Sequence, residues 1–382
     1  MRVAILRETQ PGETRVALVT DAVKTLVSQK VEVGVEPGAG AHVGISDADY
    51  EAAGAGIVDR ASLLADADVI AAVNCPRVED LDRLHKGSVL VGFLRPLDEP
   101  AALVPAIHRG ATLFSMELVP RITRAQAMDT LSSMATIAGY KAALIAADNL
   151  PRMFPLLMTA AGTVPPAKVF VIGAGVAGLQ AIATARRLGA VVEAYDVRAA
   201  ASEQVRSLGA KFLEVDLGGL ETEDKGGYAR ELTEEALNRG RDLITKTAKT
   251  SDVIITTAQV PGRRAPLLIR REAVENMRSG SIIIDLAALN GGNCELTQPG
   301  ETVTTPNGVT IFAPLNLPAT VPVHASQLYS RNMTNLLKLM IKNGALNLDM
   351  NDEIIQGTCV AYEGQVVNQR VAAALETRAT RS

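Results

Sequence analysis

The stretch Val169-Phe-Val-Ile-Gly173-Ala-Gly175-Val-Ala-Gly178 decides the fold of the middle of the chain. Four apolar, strand-forming residues precede the first glycine, and a helical pattern runs on from about 176 to 188. In such a strand–turn–helix, Gly173 makes the tight turn, Gly175 lets the backbone approach a pyrophosphate, and Gly178 allows helix and strand to pack closely. The phosphates of a dinucleotide would lie at the positive end of the helix. The alternative is a glycine turn that binds nothing.

An acidic residue follows the next predicted strand at the spacing that a dinucleotide site requires. That strand covers 191–195, and Asp196 comes directly after it, 18 residues beyond Gly178. A carboxylate there accepts hydrogen bonds from the ribose 2′-hydroxyl and repels a 2′-phosphate, so the sequence favours NAD over NADP. Arg198 could in principle cradle that phosphate, but we interpret it as a solvated surface charge.

Short β-branched runs alternate with helical patterns, which is typical of parallel sheets covered by helices. In the N-terminal third, strands are predicted at 3–6, 31–36, 69–73, 89–93 and 112–115. The helices predicted between them cover 20–29, 46–53, 79–85 and 98–109, with Thr20 and Ser46 as N-caps. In the middle of the chain, strands are predicted near 168–172, 191–195, 211–215, 252–256 and 281–285. We therefore predict the α/β class, with two Rossmann-like parallel-sheet domains joined by long helices.

Two further helical segments define the domain organisation. A helical stretch at about 124–148 joins the two α/β units, and a helix at 326–343 precedes a small hairpin-like tail around 362–365. Because a lone helix cannot bury its apolar face, we expect the C-terminal segment to return to the first unit. The first domain would comprise 1–131 and 322–382, and the NAD(H)-binding Rossmann domain would comprise 132–321.

The composition excludes several classes of protein. The 382 residues carry a net charge of −4, with 47% hydrophobic and 21% charged residues, which excludes a disordered chain. The slight acidity, with six Tyr, six Phe and no Trp, argues against a nucleic-acid partner. On either side of Lys168, the uncharged stretches 153–167 and 169–185 are 15 and 17 residues long. Both are too short to span a membrane, and we interpret them as buried core.

Cysteine and histidine usage indicates a reducing compartment and no metal site. Cys75, Cys294 and Cys359 are far apart and odd in number, and the four histidines lack the spacing of zinc ligands. The N-terminus reaches Arg7 and Glu8 after four apolar residues, so we expect no signal peptide there.

A second constellation of polar residues lies in Pro120-Arg121-Ile-Thr-Arg124-Ala-Gln126-Ala-Met-Asp129-Thr-Leu-Ser132-Ser133. If Thr123 is a helix N-cap, three polar side chains share one face of that helix. They are Gln126, Asp129 and Ser132. Thr123 with Gln126 would form a capping box, and Arg121 with Asp129 a structural ion pair at the domain junction. The functional alternative is a polar clamp on a nicotinamide ring.

Two loops of the nucleotide-binding unit are candidates for contacts with the cofactor. The segment 216–230 is rich in glycine and charge and follows a predicted strand on the ligand side of the sheet. It is either a disordered surface insertion or a lid that carries Tyr228. The loop 256–262, which contains Ala258 and Gln259, follows the fourth strand and would border the cofactor.

These motifs resemble one known family along nearly the whole chain, the NAD(H)-binding component (domain I, α subunit) of the proton-translocating NAD(P) transhydrogenases. The matching stretches begin at Pro11-Gly-Glu-Thr-Arg15 and end at Gly291-Gly-Asn-Cys294. The stretch 120–133 is the most specific, because few other families carry an Arg-x-x-Arg-x-Gln-x-x-Asp run there.

The resemblance implies a set of site residues at each end of the nucleotide. The segment implied at the nicotinamide end consists of Arg121, Ile122, Thr123, Arg124, Gln126, Ala127, Met128, Asp129 and Ser132. Within it, the residues implied to act on the reacting ring are Arg121, Gln126, Asp129 and Ser132. Those implied at the adenosine and pyrophosphate end are Gly173, Ala174, Gly175, Val176, Gly178, Asp196, Val197 and Arg198. Ala258 and Gln259 would line the site, and Tyr228 would lie on a mobile loop.

The resemblance also implies partners and a location. In that family each chain folds into two Rossmann-like units, forms a homodimer and docks onto a component that binds NADP(H). This chain would therefore bind NAD(H), and NADP(H) would be held only by the partner component. Because no segment here is long enough to span a membrane, we expect separate membrane-spanning subunits. They would keep the chain cytoplasmic, on the cytoplasmic face of the inner membrane.

Alanine dehydrogenase is the nearest relative of that family and provides the alternative function. It carries a catalytic Lys in a Lys-x-Lys-Glu-Pro run and a catalytic His in a Leu-His pair. The corresponding stretches here are Val73-Asn74-Cys75-Pro76 and Phe93-Leu94-Arg95-Pro96. Neither Asn74 nor Arg95 can exchange a proton near neutral pH, as an amino-acid dehydrogenase requires. A third possibility, a protein that binds NAD without catalysis, shares the same fingerprint.

Overall fold

Two predominantly parallel β-sheets organise the chain, one in each of two units. The computed structural model describes residues 1–216, 233–259 and 262–379. Unit 1 consists of Met1–Met134 and Pro318–Ser382, and unit 2 of Ala135–Leu317. The boundaries predicted from the sequence lie at residues 131 and 322. The predicted α/β class with two parallel-sheet units is confirmed.

The elements follow one another in a largely alternating order. The strands are β1 (Arg2–Ile5), β2 (Glu32–Val35), β3 (Gly56–Ile57), β4 (Val69–Asn74), β5 (Val89–Phe93), β6 (Thr112–Ser115), β7 (Leu157–Thr159), β8 (Gly162–Val164), β9 (Lys168–Ile172), β10 (Val191–Tyr195), β11 (Lys211–Phe212), β12 (Val253–Thr256), β13 (Ile282–Asp285), β14 (Thr302–Thr304), β15 (Thr310–Phe312), β16 (Ile341–Lys342), β17 (Ala345–Leu346), β18 (Cys359–Tyr362) and β19 (Gln365–Val366). The α-helices are α1 (Thr20–Ser28), α2 (Asp47–Ala52), α3 (Arg60–Asp66), α4 (Val78–Leu81), α5 (Val104–His108), α6 (Thr130–Asn149), α7 (Val176–Arg187), α8 (Ala201–Ser207), α9 (Glu234–Ala248), α10 (Arg271–Glu275), α11 (Pro322–Met340), α12 (Glu353–Thr358) and α13 (Gln369–Ala379). Short 3₁₀ segments cover Ala41–Val43, Pro100–Leu103, Met116–Leu118, Thr123–Met128, Ala288–Asn290 and Leu317–Thr320.

The sheet of unit 1 has the strand order β19-β18-β6-β5-β4-β1-β2-β3. Strands β1 to β6 are parallel, and the C-terminal hairpin of β18 and β19 joins antiparallel beside β6. Strand β4 is buried nearly throughout and is a continuous apolar run, as expected for a parallel strand covered on both faces. The C-terminal segment also supplies α11, whose Tyr329 hydroxyl donates to the Ala72 carbonyl at 2.8 Å.

The sheet of unit 2 has the strand order β11-β10-β9-β12-β13-β15-β14, and among these described strands only β14 is antiparallel to its neighbour. Its order reverses at β9, which pairs with β10 on one side and with β12 on the other. In open α/β sheets, ligands bind outside the carboxyl ends of the strands at such a reversal. The fold therefore brings the residues that follow β9, β10 and β12 to one place.

The predicted helices are present, but several of their details are wrong. Ser46 caps α2 in a capping box, which confirms its prediction as N-cap. Thr20, by contrast, is the first residue of α1, and Val19 is the N-cap residue. The helix predicted over 124–148 is interrupted, because Asp129 has a ψ of 88°, outside the helical range. A 3₁₀ segment therefore ends at Met128, and α6 begins anew at Thr130.

The interpretation of 153–185 as buried core is right for only part of that segment. Residues of β9 and α7 are buried, but β7 and β8 form an exposed two-stranded hairpin on their own. Met158 on this hairpin is 77% exposed. Periodicity could not separate the two parts, because both are apolar and short. Within the described residues, no helix has the length and apolar character needed to cross a membrane.

Candidate nucleotide-binding site

The glycine turn of unit 2 has the backbone geometry that its sequence predicts. Gly173 has a φ of +92°, and a Cβ there would lie 2.6 Å from Thr257 Oγ1. A Cβ on Gly178 would lie 1.8 Å from the Gly173 carbonyl oxygen, so only glycine lets α7 pack this closely on β9. A Cβ on Gly175 would meet no atom within 4 Å. The space in front of the first turn of α7 is therefore open to an anion, which the helix N-terminus favours.

Asp196 lies at the carboxyl end of β10 and contacts the glycine turn directly. Its Oδ2 accepts a hydrogen bond from the Ala174 N–H at 2.7 Å. The Arg198 guanidinium grips the same carboxylate, with Nε 2.9 Å from Oδ1 and Nη2 2.8 Å from Oδ2. The Arg198 N–H also donates to Oδ1. Only 6% of the Asp196 side chain and 19% of the Arg198 side chain are exposed.

This geometry shows that the interpretation of Arg198 as a solvated surface charge is wrong. The arginine is half-buried because it forms a bidentate, charge-assisted pair with Asp196. The hydrogen bonds of Ala174 and Arg198 use about all four lone-pair positions of the carboxylate. A ribose hydroxyl would therefore bind Asp196 only by displacing part of this pair. Sequence spacing located the acid correctly and could not reveal its partner.

The loop after β12 borders the glycine turn. The Thr257 N–H donates to the Ile172 carbonyl at 2.9 Å, and its hydroxyl donates to the Gly173 carbonyl at 2.9 Å. Ala258 follows at once, with its nitrogen 3.3 Å from where a Cβ on Gly173 would be. The exposed Gln259 donates through Nε2 to the Leu286 carbonyl. The structure thus brings this loop together with the glycine turn, as the sequence predicted.

The polar segment of unit 1 is arranged differently from its prediction. Thr123 begins a 3₁₀ segment whose N-cap residue is Ile122, so the predicted N-cap and the predicted single helix face are both wrong. Asp129 instead caps α6, because Oδ1 accepts the Ser132 N–H at 2.9 Å and Oδ2 accepts the Ser132 hydroxyl at 2.6 Å. The exposed Gln126 lies within the 3₁₀ segment, before the cap.

The remaining residues of this segment are held by the C-terminal part of unit 1. Arg124 forms a bidentate pair with Asp352, at 2.6 and 2.8 Å, and this pair lowers the pKa of Asp352 to about 2. The Ala127 carbonyl accepts hydrogen bonds from Asn332 and Asn335 of α11. Met128 is buried, whereas Arg121, Thr123 and Ala127 are exposed and Ile122 is half-buried. The segment is thus a fixed platform that presents several polar side chains to solvent.

A buried set of charged residues in unit 1 escaped the sequence analysis. Asn74 Nδ2 donates to Glu8 at 3.2 Å and to Glu13 at 2.8 Å, and Glu13 forms a buried ion pair with Arg15 at 2.6 Å. Burial, with the nearby charge of Glu13, raises the pKa of Glu8 to about 7. Burial would also raise the pKa of Glu13, but the hydrogen bond and charge of Arg15 lower it to about 2. The only sequence signal was charge beside strand β1.

Two predictions about other groups have different outcomes. Tyr228 and the rest of 217–232 lie outside the described residues, so the lid stays a prediction. Arg95 has a φ of +49° and pairs with Glu99 at 2.6 Å. Within the described part of the chain, no cluster of His, Cys, Asp and Glu suits a metal ion.

Comparisons with known proteins identify relatives that cover the whole of this architecture. The family models described as alanine dehydrogenase/PNT, N-terminal domain and C-terminal domain match residues 4–138 and 142–369. The chain is 45% identical over 377 residues to the first portion of the NAD(P) transhydrogenase alpha subunit of Rhodospirillum rubrum, a separate protein, with 96% of this chain and 98% of that protein covered. It is 31% identical over 381 residues to alanine dehydrogenase of Mycobacterium tuberculosis, with 97% and 96% covered. The solved structure of a transhydrogenase from Sinorhizobium meliloti is 41% identical, with a TM-score of 0.84 and coverage of 97% and 99%.

Proposed function

We propose that this chain, which belongs to the alanine dehydrogenase/PNT family, is the NAD(H)-binding component of a proton-translocating NAD(P) transhydrogenase. The observation that carries the proposal is the joint occurrence of a nucleotide site in unit 2 and of Asn74 and Arg95 in unit 1. The first supports binding of NAD(H). The second removes the groups on which the related amino-acid dehydrogenase depends.

Unit 2 would anchor the adenosine and pyrophosphate end of NAD(H). The open first turn of α7, with Gly173, Ala174, Gly175 and Val176, offers backbone N–H groups to the pyrophosphate. Asp196 would accept from the ribose hydroxyls once Arg198 yields part of its pair, and Val197 packs against the core beneath. Ala258 and Gln259 would form the wall on the side of β12.

The segment 121–132 of unit 1 would contact the nicotinamide end. Arg121 and Gln126 present polar side chains from a platform that buried Met128 and the Arg124–Asp352 pair hold in place. Their role would be to orient the ring, because a hydride moves between two carbons without help from a protein acid or base. Asp129 and Ser132 would fix the backbone of this segment through the cap that they form on α6.

The reaction would be the transfer of a hydride from NADH on this chain to NADP⁺ on a partner component, which leaves NAD⁺ and NADPH. No proton enters or leaves this balance, so Asn74 and Arg95 are compatible with it. The NADP(H)-binding component and separate membrane-spanning subunits would couple the transfer to proton translocation. We place the chain on the cytoplasmic face of the inner membrane, held there by those subunits.

The homodimer is also a proposal, and the β7–β8 hairpin supports it. Leu156 and Met158 expose 51% and 77% of their surface, and Val164 on the other strand exposes 42%. A two-stranded hairpin is marginally stable by itself, and exposed apolar groups of this kind mark interaction surfaces. A second copy of the chain is the partner we propose for it.

The alternative is a self-contained amino-acid dehydrogenase, and one observation keeps it in view. Glu8, with a pKa of about 7, is the kind of group that can exchange a proton at neutral pH, and it contacts Asn74. Its oxygens, however, already accept hydrogen bonds from the Val73 and Asn74 N–H groups. They therefore hold strand β4 in place.

One pair of assays separates the two functions. The purified chain is mixed with an NADP(H)-binding partner domain, and NADPH formation from NADH is followed, with the chain or the partner omitted as controls. We expect transfer only when both proteins are present, and no NADH formation from alanine and NAD at any pH. Alanine-dependent NADH formation by the chain alone would establish the alternative.

A further inference from the structure

A buried polar network lies behind the loop that borders the glycine turn, and the function proposed above does not use it. Asp285, the last residue of β13, and Asn293, eight residues later, are both completely buried. Burying a carboxylate and an amide destabilises a fold unless their hydrogen bonds are satisfied. The network is therefore built to hold something in a defined place.

Asp285 fixes the backbone on which Asn293 lies. Its carboxylate accepts hydrogen bonds from the N–H groups of Ala287, Asn293 and Cys294 and from the hydroxyls of Thr256 and Thr297. The chain reaches this position through Gly292, whose φ is +81° and whose Cβ would lie 2.7 Å from Asp285 Oδ2. Only glycine allows so close an approach of backbone to carboxylate.

Asn293 in turn holds both polar backbone groups of Ala258. Its Oδ1 accepts the Ala258 N–H at 3.1 Å, and its Nδ2 donates to the Ala258 carbonyl at 2.9 Å. The same Nδ2 donates to the Pro266 carbonyl at 2.9 Å. The side-chain amide therefore takes the place of a neighbouring strand for a residue that lies beyond the end of β12.

The other side of the loop is tied to the glycine turn. Thr257 bonds to the carbonyls of Ile172 and Gly173, as described above. Ala258 is thus held from behind by Asn293, while the residue before it is fixed against the turn. A loop restrained in this way on both sides presents Gln259 and the Ala258 backbone in one position.

We propose that Asn293, oriented by Asp285, is a positioning residue for nucleotide binding. It touches no nucleotide itself and acts by holding Ala258 and Gln259 beside the glycine turn, so that the wall of the site is formed before the adenine dinucleotide arrives. Preorganisation of this kind raises affinity because the loop need not be ordered on binding. The inference rests on the proposed binding of NAD(H) by unit 2.

The test compares two asparagines of unit 2 that make the same kind of hydrogen bond. Asn307 donates through Nδ2 to the carbonyls of Val274, Glu275 and Met277, at the edge of the sheet where β15 begins. That edge is opposite the glycine turn. The dissociation constant for NADH and the melting temperature are measured for the wild type, Asn293→Ala and Asn307→Ala.

We expect both variants to melt at a lower temperature than the wild type. Only Asn293→Ala should weaken NADH binding, by about tenfold or more, at a temperature where every protein is folded. Amide exchange should report the same change locally, with faster exchange of the Ala258 N–H in Asn293→Ala and unchanged protection of β12.

Two results would contradict different claims. If the wild type binds NADH and Asn293→Ala binds it within twofold of Asn307→Ala, Asn293 has only a structural role and the inference is wrong. If the wild type itself does not bind NADH, the proposed function fails instead. Should Asn293→Ala not fold, Asn293→Ser replaces it under the same criterion, because its hydroxyl can retain one of the lost hydrogen bonds.

Discussion

At the residue scale, the ion pair between Asp196 and Arg198 changes the argument for cofactor choice. An isolated carboxylate would repel a 2′-phosphate, but here a guanidinium lies 2.8 Å from it and neutralises its charge. Selectivity for NADH therefore depends on the pair and not on Asp196 alone. Arg198 competes with the ribose for Asp196, and it is also the cation that could receive a phosphate.

We predict that Arg198→Ala increases the preference for NADH over NADPH, by about tenfold. Removal of the guanidinium frees the carboxylate to accept from the ribose and to repel a 2′-phosphate. Asp196→Ala should do the opposite, because it leaves Arg198 without its acid. Equilibrium binding of both nucleotides to each variant is the measurement.

The matched control is Arg206→Ala, which removes a guanidinium of the same unit that pairs with Glu214 at the surface. We expect it to leave both affinities as in the wild type. Tighter NADPH binding by Arg198→Ala would show that the guanidinium does not favour the phosphate, and the prediction would be wrong.

Glu8 makes the stability of unit 1 depend on pH. The folded protein protonates this carboxyl group near pH 7, whereas its ordinary pKa is 4.5. The folded state therefore binds the extra proton in this range, and stability falls as the pH rises from about 4.5 through 7. Glu8→Gln, which imitates the protonated acid, should remove this fall.

We expect the melting temperature of the wild type to drop between pH 5 and pH 8 by about 3 °C or more beyond the drop of Glu8→Gln. Glu51→Gln makes the same chemical change at an exposed position of α2 and should follow the wild type. Parallel curves for all three proteins would show that Glu8 is charged in the folded state throughout this range.

At the scale of the element, the start of α6 separates structural from functional residues within 121–132. Asp129 and Ser132 form the cap of this helix, whereas Gln126 is exposed and precedes it. A cap stabilises the helix that follows it, and an exposed side chain contributes little to stability. The two groups therefore make different predictions.

We predict that Asp129→Ala destabilises the protein by about 0.5–2 kcal/mol, the usual effect of losing an N-cap. Asp129→Asn retains a capping oxygen and should keep the melting temperature. Gln126→Ala should also keep it and should slow hydride transfer to the partner component more than it weakens NADH binding. Thermal melts beside rate measurements distinguish these effects, and a normal rate for Gln126→Ala would remove it from the site.

At the scale of the whole molecule, the β7–β8 hairpin is the clearest feature that one chain leaves incomplete. Its strands pair only with each other among the described strands, and Met158 is 77% exposed. Such a hairpin gains stability by packing against another surface. We therefore assign it to the interface of the proposed homodimer.

We predict that Met158→Lys shifts the protein from dimer to monomer in sedimentation experiments at micromolar concentration, because a charge would replace an apolar contact. Val191→Lys places the same charge at another exposed apolar position of unit 2 and should leave the dimer intact. A wild-type protein that sediments as a monomer would contradict both the dimer and this role of the hairpin.

The sequence by itself determined the two parallel sheets, the glycine turn and the position of Asp196. These features depend on local causes: apolar runs form buried strands, Gly173 and Gly178 satisfy steric limits in their own turn, and the acid follows its strand at a fixed spacing. The predicted strands 89–93, 112–115, 168–172 and 191–195 coincide with β5, β6, β9 and β10.

Only the tertiary structure decided which polar groups meet. Asn293 and Ala258 are 35 residues apart, Glu8 and Asn74 are 66 apart, and Arg124 and Asp352 are 228 apart. Even Arg198, two residues from Asp196, looked like a surface charge until the path of the backbone after β10 was known. Pairing of this kind depends on the distances and directions between side chains in the folded chain, and the periodicity of a sequence carries no record of them.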